Sequence, residues 1–264
     1  MTPEVIDISV GHLALGLLFV LAAGCASLYF ALRLERDLLV GTVRTFIQLC
    51  LLGYTLKIIF NLHQAWLVLT VFGFMIFFAA VTIRGRVKEK QVAFFWPVFI
   101  SMLISFALVS YMVTGVVINV DPWWKAQYFL PLGGMVIGNS MNAIAVALER
   151  LLGELRQRRN EVEMKLTLGA TYQEASQDMV KHAVRAGMIP SINSMMAAGV
   201  VFIPGMMTGQ ILAGADPLMA VRYQIVVMVM LVGSTTIGSL LVVLLVRKCC
   251  FNSSHQLRLR PVGR

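Results

Sequence analysis

The sequence predicts an all-α protein, a polytopic transmembrane helical bundle with about seven spans. Three observations predict it. Uncharged stretches longer than the roughly 20 residues that cross a hydrocarbon core recur along the chain. Charged residues make up 13% and hydrophobic residues 58%, with mean hydropathy +0.80, whereas a soluble domain carries roughly twice that charge. The basic residues gather in alternate connections, as orientation signals do.

The first stretch, 8–32, follows Glu4 and Asp7 rather than a basic leader, so it reads as a retained helix and not a cleaved signal. The second, 38–60, is apolar except for Arg44 and Lys57, which can snorkel to an interface. The others are 58–83, 91–120, 126–148, 186–215 and 223–246. With these spans, one side collects Arg33 and Arg36, then Arg84, Arg86, Lys88 and Lys90, then the basic residues between Arg150 and Arg185. The tail adds Arg247, Lys248, Arg258, Arg260 and Arg264. The opposite side holds Lys57, Lys125 and Arg222 among Glu4, Asp7, Asp121 and Asp216. The expected topology is N-terminus out and C-terminus in. The net charge of +9 is thereby orientation and anionic-lipid contact, not a nucleic-acid footprint. Trp66, Trp96, Trp123 and Trp124 fall at expected interfaces. Cys25 and Cys50 lie within spans; Cys249 and Cys250 follow the last one as unmodified thiols, with lipidation the lesser reading.

Residues 1–264 read as a single membrane domain with one long connection, at about 149–185, on the inner side. Its first part, ERLLGELRQRRNEVEMK, is rich in helix formers and should prolong the fifth helix. Gly169 can end that helix in the left-handed conformation, and Thr171 with Glu174 makes a capping box for a new one. There Tyr172, Ala175, Met179 and Ala183 form an apolar stripe. It fits an amphipathic helix lying on a membrane or partner, and equally an ordinary solvated loop helix.

Function is better sought in the polar residues inside the spans. Arg44 and Gln48 share one helical face, as do Asn139 and Asn142 in GNSMNA; Ser191, Asn193 and Ser194 follow Pro190. Each is either interhelical glue or the lining of a wet path. The sixth stretch is interrupted by FIPGMMTGQILAG, with Pro204, Gly205, Met206, Met207 and Gln210. Irregular backbone at membrane depth is tolerable only against protein or a water-filled cavity, which makes this a candidate gate. Met195 and Met196 lie nearby; thioethers suit soft metals, but packing is their commoner use, and the identity of any metal is left open.

Several classes are disfavoured. The spans carry no mid-depth Asp or Glu for proton coupling, and the last has no lysine for a retinal. No hydrolase triad, phosphate loop or HExxH motif occurs, so the chain is not expected to be an enzyme. His12, His63, His182 and His255 lack ligand spacing.

Two stretches carry a resemblance. LGATYQEASQDMVKHAVRAG is similar to the cytoplasmic coupling loop of ABC importer permeases, with Glu161 and Glu163 leading to Gly169-Ala170 and Arg185 at the basic position; the Glu-Ala-Ala run is missing and His182 replaces a proline. Nearly the whole chain resembles the Fet-type ABC permeases, FetB-like iron export proteins related to plant aluminium-sensitivity proteins. This likeness rests on Gly138-Asn139-Ser140-Met141, LTLGAT (166–171), Arg185-Ala186, Ile189-Pro190 and PGMMTGQILAGADP followed by Tyr223-Gln224.

The resemblance implies a multi-pass permease of the bacterial inner membrane, exporting iron, with two permeases and two cytoplasmic FetA-like ABC ATPases in the working unit. ATP and Mg would bind the ATPase, and this chain would bind no cofactor. Coupling would then fall to Glu163, Leu168, Gly169, Ala170, Thr171 and Arg185. The path or gate would include Arg44, Gln48, Asn139, Asn142, Asn193, Pro204, Gly205, Met206, Met207 and Gln210. The competing readings are a non-transporting membrane scaffold or sensor, and a secondary transporter of another metal or small solute.

Overall fold

The computed structural model describes residues 9–62, 64–87, 92–252 and 256–259. Glu4, Asp7, His63, Lys88, Lys90, His255, Arg260 and Arg264 lie outside them. The chain divides into two compact units, Met1–His63 with Leu212–Gly214, and Gln64–Ile211 with Ala215–Arg264.

The first unit holds α1 (Val10–Tyr29) and α2 (Glu35–Leu62). Ser9 caps α1 by accepting the His12 N–H. The turn between the helices is pinned by Ser27, whose hydroxyl donates to Glu35 at 2.8 Å and accepts the Leu34 N–H at 3.0 Å.

The second unit is a bundle of α3 (Ala65–Arg86), α4 (Phe95–Tyr111), α5 (Ala126–Gln157), α6 (Arg159–Thr167), α7 (Tyr172–Ala175), α8 (Gln177–Ala197), α9 (Gly205–Leu212) and α10 (Pro217–Cys249). A π-helical segment, Met112–Val117, prolongs α4. The buried residues of α4, Val98, Met102, Ser105, Phe106 and Val109 among them, recur at three- and four-residue spacing, so the helix turns one stripe inward. Small residues let the axes approach: a methyl group on Gly187 of α8 would stand 2.6 Å from the Ala143 carbonyl oxygen of α5. Hydroxyls join helices at two levels, Ser140 to Ser234 at 3.2 Å and Ser191 to Thr235 at 3.3 Å.

Among the described residues, six helices are long and apolar enough to cross a membrane: Gly11–Tyr29, Glu35–Phe60, Ala65–Arg86, Phe95–Val117, Ala126–Gln157 and Pro217–Cys249. They match six of the expected spans. The remaining one, 186–215, is not a continuous helix. α8 stops at Ala197, residues 198–204 form an irregular turn, and α9 restarts at Gly205. In that turn Gly199 takes φ +83 and the Ala197 carbonyl accepts the Val200 and Val201 N–H groups.

The amphipathic helix expected at Tyr172 is also drawn differently. It is a four-residue α7 followed at once by α8, which runs on into the broken segment. Its stripe of Ala175, Met179 and Ala183 is fully buried against the chain's own helices, so it is core and neither a membrane-facing nor a solvated face.

Candidate functional site

Two places in the second unit concentrate the sequence-nominated residues. The first is the helical break after α5. Arg158 interrupts the helix, and α6 ends in a Schellman motif: the Gly169 N–H donates to the Leu166 carbonyl at 3.1 Å, and the Ala170 N–H to that of Lys165 at 3.0 Å. Gly169 sits at φ +91, where a side chain is strained. The Thr171 N–H then donates to Glu174 at 2.8 Å and the Glu174 N–H to the Thr171 hydroxyl at 3.3 Å, completing the capping box. The bonds from Thr171 hold the Glu174 carboxyl below its usual range. Both sides of the elbow are thus fixed by backbone chemistry, and the tip between them presents Leu168, 80% exposed, beside exposed Met164.

Charges brace its arms. Arg158 and Lys165 bind Glu161 and hold its carboxyl down at about 2. Arg159 pairs with Glu163 at 2.7 Å and donates to the Leu259 carbonyl at 2.8 Å. Buried Glu154 of α5 meets Arg150 at 2.7 Å and His182 of α8 at 3.1 Å, joining the two helices near the break. Arg185 is exposed further along α8.

Sequence reading missed the tail. Phe251 and Leu257 pair as an antiparallel bridge, Leu259 is fully buried, and the Phe251 ring lies 5.4 Å from that of Tyr172. The Arg247 guanidinium, at the end of α10, stands 5.7 Å from the same tyrosine ring. Cys250 is buried beneath, which pushes its thiol up to about 12 and leaves it inaccessible to a lipid-transferring enzyme in this fold. Nothing in the tail's composition signals this packing; only the apolar Leu257 and Leu259 among polar neighbours hint at it.

The second place is a pair of adjoining cavities. One, of 240 Å³, lies among α5, α8, α9 and α10 and is lined by Asn139, Ser191, Ser194, Pro204, Gly205, Gln224, Met135, Met206 and Met228, with Phe202, Val227 and Leu231. The other, of 340 Å³, is lined by Gln127, Tyr128, Pro131, Leu132, Gln210 and Tyr223. Met135 and Met206 border both and therefore stand between them. Asn139, Pro204, Gly205, Met206 and Gln210 are thus brought together. Asn142 is not: it accepts a 2.6 Å hydrogen bond from Arg86 and serves as a tie between α5 and α3. Asn193 is exposed, Met207 half-buried, and neither lines these cavities. Arg44 and Gln48 are exposed on α2 in the first unit.

Gln224 was legible only as part of a family motif. It is 7% exposed, lines the first cavity, and its side-chain oxygen has no protein partner. The Gln210 oxygen in the second cavity is likewise buried without one. Unpaired buried amides are costly, so a wet or ligand-filled cavity accounts for them better than a dry one. Among the described residues no cluster of His, Cys, Asp or Glu is disposed to hold a metal ion.

Residues 10–251 match the family model UPF0014, described as an uncharacterised protein family. A UPF0014 membrane protein of Synechocystis sp. is 38% identical over 86% of this chain and 87% of its own. A protein of Escherichia coli K12 named probable iron export permease protein FetB is 34% identical, covering 93% of each chain. Protein ALUMINUM SENSITIVE 3 of Arabidopsis thaliana is 32% identical over 93% of this chain and 88% of its own. No solved structure matches it.

Proposed function

The chain belongs to the UPF0014 family, and on that premise we propose that it is the membrane permease of an ATP-driven metal exporter, powered by a separate cytoplasmic ABC ATPase. Iron is the cargo named for the E. coli relative and the first to test. The working unit would be two permeases and two ATPases in the bacterial inner membrane, N-terminus outside and C-terminus inside, the topology that the distribution of basic residues supports.

The observation that carries this reading is the elbow at 168–171. A Schellman motif and a capping box back to back fix the angle of the elbow, and the tip they hold out is apolar, which suits a surface on which a partner can push. A partner pushing on Leu168 would act on α5 through α6 and Glu154, and on α10 through Tyr172, Arg247 and Phe251. Both helices line the two cavities. Force delivered at the elbow therefore reaches the candidate path through packed helices, with no energy source needed inside the spans.

The test is Gly169→Val in the full chain co-reconstituted with its ATPase. A β-branched residue at φ +91 must abandon the elbow geometry. Membrane insertion should persist while cargo export and cargo-stimulated ATP hydrolysis disappear. Export at the parent rate would refute the coupling role, and export by the permease alone under an ion gradient would favour a secondary transporter.

A further inference from the structure

The cavity among α5, α8, α9 and α10 presents electron-pair donors and no charge. Asn139 spends its side-chain N–H on the Met135 carbonyl at 3.0 Å, which leaves the amide oxygen unengaged by that bond. The Ser191 hydroxyl donates to Thr235, so its own oxygen can still accept. The Gln224 oxygen, nine-tenths buried, has no partner at all. Three methionines complete the lining, Met135, Met206 and Met228.

This lining discriminates by charge and by softness. With no Lys, Arg or His on its walls, it offers an anion no compensating charge. With no Asp or Glu either, a double charge would go uncompensated, and because ion desolvation scales with the square of the charge, a dication costs about four times what a monovalent ion does. Thioether sulfur prefers a soft ion, and a neutral carbonyl oxygen can complete its shell. Fe(II), divalent and harder, is poorly matched to such a set.

We propose that this cavity binds a soft monovalent metal cation of the Cu(I) class, held by the thioethers of Met135, Met206 and Met228 with the Gln224 side-chain oxygen. Met135 and Met206, which border both cavities, also pass the ion from one to the other. The site rests on the reading of these cavities as the cargo path. It needs no redox step, because the ion enters and leaves in the same oxidation state.

Silver(I) is the probe, being redox-stable and of the same class. Cys25, Cys50, Cys249 and Cys250 are first replaced by alanine, since thiols would outcompete thioethers for silver. Silver binding to the full-length purified chain is then measured by equilibrium dialysis without chloride. One saturably bound ion per chain is expected, weakened about tenfold or more in Met135→Leu/Met206→Leu. Met195→Leu/Met196→Leu, at exposed positions off the cavity, should bind like the parent. About a hundredfold excess of Mn(II), a hard dication that does not reduce silver, should not displace it. Should the double variant fail to fold, Met228→Leu and Gln224→Leu are read in its place. Silver held equally well by the cavity variants, or displaced by equimolar Mn(II), overturns the proposal. The measurement uses neither ATP nor ATPase, so a failure of ATP-coupled export with silver binding intact would count against the pump alone.

Discussion

Replacing Gly187 with alanine tests whether α5 and α8 cross as tightly as the backbone indicates. The added methyl would stand 2.6 Å from the Ala143 carbonyl oxygen and 3.0 Å from the Ala147 methyl. The first distance is roughly 0.8 Å short of ordinary contact, and the obstructing atom is backbone, so no side-chain rotation relieves it. The helices must part or α8 must shift along its axis. Overpacking of this kind costs about 1–3 kcal/mol, which for a chain of this size lowers the melting midpoint by about 2–4 °C per kcal/mol. The assay is thermal unfolding of the detergent-solubilised protein beside Gly138→Ala, which also lies in a helix but has nothing within 4 Å of the added methyl. That control should match or exceed the parent, since alanine is the better helix former by up to about 1 kcal/mol. Ser191 and Ser194, one and two turns beyond Gly187, line the first cavity, so the same displacement should reduce export beyond what lost stability explains. Equal melting of Gly187→Ala and the parent would refute the tight crossing of α5 and α8.

Leu259→Ala should empty a fully buried site against α6 and cost about 2–5 kcal/mol locally. Hydrogen exchange in α6 should rise while that in α3 does not, and the number of ATP molecules hydrolysed per ion exported should increase. The Glu161 carboxyl titrates lower in the fold than in the unfolded chain, so its pairing with Arg158 and Lys165 supports α6 at neutral pH. That support declines as pH falls from the ordinary carboxylate range to about 2. Amide exchange in α6 should therefore differ between the parent and Glu161→Gln at pH 6 and converge near pH 2, and an equal difference at both would remove Glu161 from the elbow.

The parts of the fold visible in the sequence are those written in local chemistry. Uncharged length gave five of the six long helices, with α2 read despite Arg44 and Lys57; Gly169 gave the left-handed stop, and the pair Thr171 and Glu174 gave the cap, because these signals are local in the chain. The interruption around Pro204 was legible too, though not its extent: the non-helical turn already starts at Ala198, where no proline stands. What escaped was long-range. The stripe through Ala175, Met179 and Ala183 has the same spacing whether it meets lipid, a partner or α5, and only the packing decides among them. Asn142 and Asn139 share a face by periodicity, yet Arg86 takes one and the cavity the other. The Leu259 carbonyl accepts from Arg159 of a helix a hundred residues earlier, a pairing no window of sequence contains.

The same division bears on how a permease of this kind can work. Ionic chemistry lies around the elbow, where Glu154, Glu161, Glu163 and their arginines and lysines sit at helix ends, while the cavities hold only amides, hydroxyls and thioethers. A neutral site in an apolar bundle binds its ion weakly, because each neutral ligand offsets only part of the lost hydration. Weak binding suits passage, since an ion held by carboxylates at that depth would need correspondingly more work to release. Separation of the charged, mechanically fixed elbow from the uncharged cavity lets the first be rigid and the second shallow. Met135 and Met206, unbranched and able to change rotamer without leaving a void, are suited to the border between the chambers, where a β-branched residue would block it or leave it open.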